Sequence, residues 1–88
     1  MKISGAIIQQ RNIIVSSENE FQATYKGKEI YISTEHSLGK PKYDHLKRYD
    51  ITVIHLESGM YDVNTYEDLH TMQDAIRYAL KGACLLPS

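Results

Sequence analysis

Phe21-Gln22-Ala23-Thr24-Tyr25-Lys26-Gly27-Lys28-Glu29-Ile30-Tyr31-Ile32-Ser33 decides the fold. Apolar and polar residues alternate on both sides of Lys26-Gly27, a two-residue turn signal that closes a β-hairpin. A chain closed there opposes Ala23 to Ile30 and Phe21 to Ile32. Side chains alternate between the faces of a strand, so this register gathers Phe21, Ala23, Ile30 and Ile32 on one side. Gln22, Thr24, Glu29 and Tyr31 fall on the other. One side suits a core and the other suits water, which predicts an antiparallel sheet buried on one face.

Working outward, residues 3–9 and 12–16 are rich in Ile and Val and flank a polar Gln-Gln-Arg turn, which predicts a first hairpin. Ser17-Glu18-Asn19-Glu20 reads as a loop. Downstream, residues 50–57 and 60–64 repeat the hairpin logic around Ser58-Gly59. A two-residue loop there opposes Leu56 to Tyr61 and Ile54 to Val63, an apolar face, and pairs His55 with Asp62 on the opposite face. Ile51 and Val53 share that opposite face, so partial cover is expected near its start.

A helix is predicted next. Thr65 is its expected N-cap, with Asp68 as capping partner and Glu67 and Asp68 in the first turn, where the helix dipole favours acids. A start at Thr71, with Asp74 as partner, is the alternative. Leu69, Met72, Ile76, Ala79 and Leu80 form one apolar stripe, Arg77 and Lys81 lie near the last turn, and Gly82 is placed for the C′ position. The predicted class is α+β: a small, mainly antiparallel sheet built from hairpins, with one C-terminal α-helix packed on it. Strand order is left open by these patterns.

The chain has 88 residues, which predicts one domain spanning residues 1–88. Hydrophobic residues at 42% and charged residues at 24% match a soluble globular chain and exclude a disordered one. No apolar stretch approaches the roughly 20 residues that span a bilayer. The opening apolar run is broken by Ser4-Gly5 and ends at Gln9-Gln10-Arg11, too short for a signal peptide. Cys84 stands fifth from the end, not fourth as a prenylation box requires. One cysteine rules out an intrachain disulfide and a multi-cysteine zinc site, and a reducing cytoplasm is the expected compartment.

Chemistry has little foothold in this pattern. Cys84 lies past the helix end, where the dipole disfavours a thiolate, and no Gly-x-Ser-x-Gly elbow occurs. His36, His45, His55 and His70 lack the helical-turn spacing of paired metal ligands. His55 opposite Asp62 reads most simply as a surface cross-strand pair. No glycine-rich phosphate loop is present. The expectation is no catalytic residue, no metal, no cofactor and no enzyme.

Charge distribution says more. The net charge is -1, yet it conceals a dipolar chain. Residues 38–49 carry Lys40, Lys42, Lys47 and Arg48 against Asp44, whereas residues 50–74 carry six acids and no Lys or Arg. The basic stretch, with Tyr43, His45 and Tyr49 among its cations, could serve phosphate contact and base stacking; its plainer reading is a solvated loop. The acidic stretch could occupy a cationic groove that normally holds nucleic acid. Its plainer reading is a solvated acidic face with Tyr61 in the core.

Tyr61-Asp62-Val63-Asn64-Thr65-Tyr66-Glu67-Asp68-Leu69, followed by Asp74-Ala75-Ile76-Arg77-Tyr78-Ala79-Leu80, resembles short proteins of bacteriophages and mobile elements that set a hairpin before a terminal helix. Among these, anti-CRISPR-type inhibitors are similar in size and in carrying one small α+β domain with an acidic face. The resemblance covers about the last third of the chain. It implies a non-enzymatic, phage-derived protein of the host cytoplasm that binds a host protein or ribonucleoprotein complex and blocks its nucleic-acid channel or a conformational step. The expected partner-binding residues are Glu57, Asp62, Glu67 and Asp68, with Tyr66 as an aromatic anchor. The alternative is a small nucleic-acid-binding module using Lys40, Lys42, Lys47 and Arg48. A homodimer through an uncovered sheet edge is a further expectation.

Overall fold

The computed structural model describes residues 1–36 and 47–86. Its strands are β1 (Lys2–Ile3), β2 (Ala6–Ile7), β3 (Ile13–Ser16), β4 (Glu20–Tyr25), β5 (Lys28–His36), β6 (Lys47–His55) and β7 (Tyr61–Leu69), followed by helix α1 (Met72–Gly82). β3 to β7 form one antiparallel meander in chain order, and β1 and β2 form a separate two-stranded ribbon. Helix α1 and the β1–β2 ribbon lie on one face of the meander. The arrangement is α+β, a mainly antiparallel sheet with one C-terminal helix, as the hairpin and helix patterns together predict.

The β4–β5 hairpin has the expected register, with Ala23 opposite Ile30 and Phe21 opposite Ile32. Lys26 and Gly27 both take positive φ, 49° and 77°, the geometry of a primed two-residue turn whose twist matches the strands it joins. All four apolar residues of its inner face are completely buried. On the outer face Gln22 donates to Glu29 at 2.7 Å and the Tyr31 hydroxyl donates to Glu20 at 2.8 Å. That hydrogen bond raises the Tyr31 pKa, because deprotonation would set two anions together.

The predicted first hairpin is corrected. Residues 3–9 are not one strand: Ser4 and Gly5, at φ 49° and 89°, close a tight turn within it, and Lys2 pairs with Ile7. The terminal amine of Met1 donates to Ile8 O at 2.9 Å and Ile8 N–H donates back to Met1 O at 2.8 Å. A 3-10 turn at Gln10–Asn12 then leads into β3, which pairs with β4. The ribbon supplies Ile3, Ala6 and Ile8 to the core instead of a sheet strand.

The β6–β7 hairpin is corrected in its loop and in its inward face. β6 ends at His55 and β7 begins at Tyr61, so the turn is longer than Ser58-Gly59 alone, and Ile54 opposes Tyr61. The core face of β6 is Ile51 and Val53, not Ile54 and Leu56. The cause is β5: Ile30 sits opposite Val53 and Ile32 opposite Ile51, so an already buried strand dictates which side of β6 turns inward. Tyr61 and Val63 consequently lie on the solvent side, 68% and 58% exposed, and Tyr61 is not a core residue.

The predicted helix start at Thr65 is also corrected. Thr65, Tyr66, Glu67 and Asp68 belong to β7, and the Thr71 alternative holds: Asp74 N–H donates to Thr71 Oγ1 at 3.1 Å. β7 runs on because β6 extends back to Lys47 and presents unpaired backbone groups there, with Tyr49 opposite Tyr66 and Lys47 opposite Leu69. Leu69 enters the core from the strand end. Helix α1 buries Ala75, Ile76, Ala79 and Leu80, each large apolar side chain contributing about 1.5–3 kcal/mol on full burial.

Gly82 remains helical, and Cys84 takes the left-handed position at φ 59°. Cys84 N–H donates to Lys81 O at 3.1 Å and Leu85 N–H to Leu80 O at 2.8 Å, a Schellman closure that folds Leu85 back on the core.

A candidate partner-binding edge

β7 is the last strand of the meander, and among the described residues no strand pairs with its outer side. Seven of its nine residues are exposed, Tyr66 is half-buried and only Leu69 is buried. The backbone of His55 donates to Met60 O at 2.7 Å. Antiparallel alternation from that pair turns the amides of Asp62 and Asn64 toward β6 and those of Tyr61, Val63 and Thr65 outward. Free donors and acceptors therefore recur along a long edge.

The opposite edge differs. β3 has four residues and a register shift between Ile13 and Val15, so it is short and kinked. Short, bulged edges resist strand addition, and β7 has neither property between Tyr61 and Tyr66.

The five sequence-predicted binding residues are strung out, not clustered. Asp62, Glu67 and Asp68 are exposed on β7; the first and second are about 17 Å apart at strand spacing. Asp62 Oδ2 lies 3.0 Å from His55 Nε2, so the predicted pair forms, although on the diagonal since Val53 is the residue directly opposite Asp62. Glu57 lies in the loop before β7, where Lys28 donates to it at 2.7 Å; that bond holds its carboxyl below the ordinary value. Tyr66 is a half-buried wall more than an exposed anchor, its ring stacked on Tyr78 with centroids 5.1 Å apart. On the solvent side Thr65 donates to Asp50 at 2.9 Å.

Between β7 and α1 lies a cleft of about 310 Å³. Ile51 and Val53 line it together with Tyr66, Tyr78 and Ala79, and Asp62 also contributes. Sequence patterns do not reveal it, because it depends on a helix that starts at Thr71 and crosses beside a strand the sequence reads as helical. Small residues toward the end of α1, Ala79, Gly82 and Ala83, keep it open; a methyl group added at Gly82 would meet nothing within 4 Å.

Of the alternative nucleic-acid residues, Lys40 and Lys42 lie outside the described residues, and Lys47 opens β6. Arg48 is exposed, with its Nε 3.4 Å from Asp50 Oδ1, so an anion already sits beside that cation. Among the described residues no three His, Cys, Asp or Glu side chains come together as a metal-binding group, and no helix is long and apolar enough to cross a membrane. No protein-family model, curated protein or solved structure matches the chain.

Proposed function

We propose that the chain is a non-enzymatic binding protein that docks a partner along β7. The observation that carries this reading is an exposed nine-residue edge strand holding Asp62, Glu67 and Asp68 and no Lys or Arg. Such an edge offers main-chain hydrogen bonds for affinity and a negative field for orientation. The resemblance of residues 61–69 and 74–80 to phage and mobile-element proteins supports a partner that handles nucleic acid, of the CRISPR-Cas kind, whose cationic surface the edge would occupy. Binding there inhibits or modulates the partner by competition with the nucleic-acid backbone.

The test is affinity capture from host lysate with the wild-type chain and with a variant carrying Asp62→Lys, Glu67→Lys and Asp68→Lys, followed by partner identification. All three side chains are exposed, so the variant is expected to fold. Loss of a nucleic-acid-handling complex from the variant's captured set is the expected result. An unchanged set would refute the role of the edge.

A further inference from the structure

We infer that the occupant of the β7 edge is an extended segment of the partner protein in which Lys or Arg alternates with apolar residues, added as a sixth strand. This deepens the reading of β7 as a docking edge and rests on it. Strand addition fixes the pattern, since successive side chains of an added strand must fall on opposite faces of the sheet. On the helix side they meet the mouth of the cleft between β7 and α1, where the half-buried Tyr66 and the partly exposed Tyr78 offer apolar surface and Asp62, beside His55, offers a carboxylate. A Lys or Arg side chain matches that combination: its stem covers apolar atoms and its head pairs with the acid. On the solvent side they meet Tyr61 and Val63, 68% and 58% exposed, with Ile54 opposite Tyr61. Apolar residues match that patch.

A second copy of the chain is a poor occupant. Full antiparallel overlap of two β7 strands centres on Thr65 and brings Asp62 of each copy against the Glu67-Asp68 segment of the other. Like charges directly opposite across a strand pair are destabilising. Acids on β7 thus disfavour full-length self-pairing and favour a basic strand.

The probe is a fluorescein-labelled peptide alternating Lys with Val or Thr, compared with a peptide of identical composition whose lysines are in one block. Anisotropy reads affinity, and amide chemical shifts of the isotope-labelled protein read location. The alternating peptide is expected to bind more tightly and to shift the amides of Tyr61, Val63 and Thr65. Val63→Pro removes an outward amide while sparing the bonds to β6, a placement that edge strands tolerate, and is expected to abolish binding. Val63→Thr keeps the amide and is expected to retain it. Asp62→Lys is expected to weaken binding about tenfold.

Equal affinity of the two peptides, or full binding by a folded Val63→Pro variant, would overturn strand addition. Either result would leave intact an acidic edge that still captures its partner from lysate. Failure of the lysate experiment would instead remove the reading beneath it. Self-association of the unliganded chain in sedimentation, lost on Val63→Pro, would overturn the choice of a basic segment over a second copy.

Discussion

The β4–β5 and β6–β7 hairpins have similar alternating patterns and end in opposite situations. In β4–β5 the inner residues Phe21, Ala23, Ile30 and Ile32 are sealed, and the polar outer residues satisfy one another through Gln22–Glu29 and Tyr31–Glu20. In β6–β7 one strand is sealed by its neighbour, while the other displays Tyr61 and Val63 to water and leaves its outer backbone unpaired. An inner pair uses both of its faces and both of its edges. An outer pair has surface left over, and the apolar part of that surface is what a partner can use.

The strongest way to break this comparison is to truncate each hairpin in turn. Phe21→Ala is expected to cost about 3–5 kcal/mol and Ile51→Ala about 2–5 kcal/mol, because both leave cavities under a covered face. Tyr61→Ala and Leu56→Ala, whose side chains are mostly in solvent, are expected to change stability by less than about 0.5 kcal/mol. Urea unfolding of the four variants measures this. A larger loss from Leu56→Ala than from Ile51→Ala would mean that β6 faces the other way and that the outer hairpin is as sealed as the inner.

A second contrast concerns where the outer hairpin stops. Thr71→Ala removes the hydroxyl that accepts from Asp74 N–H and is expected to cost about 1 kcal/mol. Thr65→Ala removes only an exposed bond to Asp50 on a strand and is expected to cost a few tenths of that. Thermal melts followed by circular dichroism distinguish them. The reverse order would shorten β7 and put Glu67 and Asp68 back at a helix start, dismantling half of the proposed edge.

This contrast also explains what can be read from residues alone. The β4–β5 hairpin is legible because Lys26-Gly27 sets the register and the alternation supplies the inward face, both local properties. The inward face of β6 is not local. Over residues 50–57, the strand the pattern predicts, the two faces are nearly equal in apolar content, Ile51 and Val53 against Ile54 and Leu56, and pairing with β5 decides between them. Glu67 and Asp68 mislead for a similar reason: acids after a Thr are sound capping chemistry, and the competing demand comes from the β6 backbone at Lys47–Tyr49, distant in sequence, that needs a partner. The five candidate binding residues are legible as an acidic stretch; the edge and the cleft that give them geometry depend on tertiary context.

The helix that covers the inner face can be sharpened at its end. Cys84 holds φ 59°, a region that costs a residue with a Cβ about 1–2 kcal/mol, so that Leu85 can reach the core. Cys84→Gly removes that strain, offset in part by the greater freedom of glycine in the unfolded chain. A net gain of a few tenths up to about 1 kcal/mol is expected from urea unfolding. Gly82→Ala, in helical backbone with open space at its Cβ, is expected to gain a similar amount. Loss of stability in Cys84→Gly would mean that the thiol itself contributes packing there.

The smallest expected effect lies where the two hairpins touch. Leu56 N–H donates to Gly27 O at 3.0 Å and Lys28 donates to Glu57 at 2.7 Å, so the loop of the outer hairpin is tied to the turn of the inner one. Glu57 is held below its ordinary pKa, first by that hydrogen bond. Folding therefore favours its charged form, and the stabilisation is fully present above the unfolded carboxyl range, near 4.3. It is lost as pH falls through the lowered folded value. Lys28→Met is expected to lower the melting temperature slightly at pH 7, and the gap from wild type is expected to close as pH is taken below that value. A gap that stayed constant with pH would assign the loss to the Lys28 stem, which is mostly buried, and would leave the loop after β6 held to the Lys26-Gly27 turn, beyond the β5–β6 ladder, by packing and one backbone hydrogen bond without help from charge.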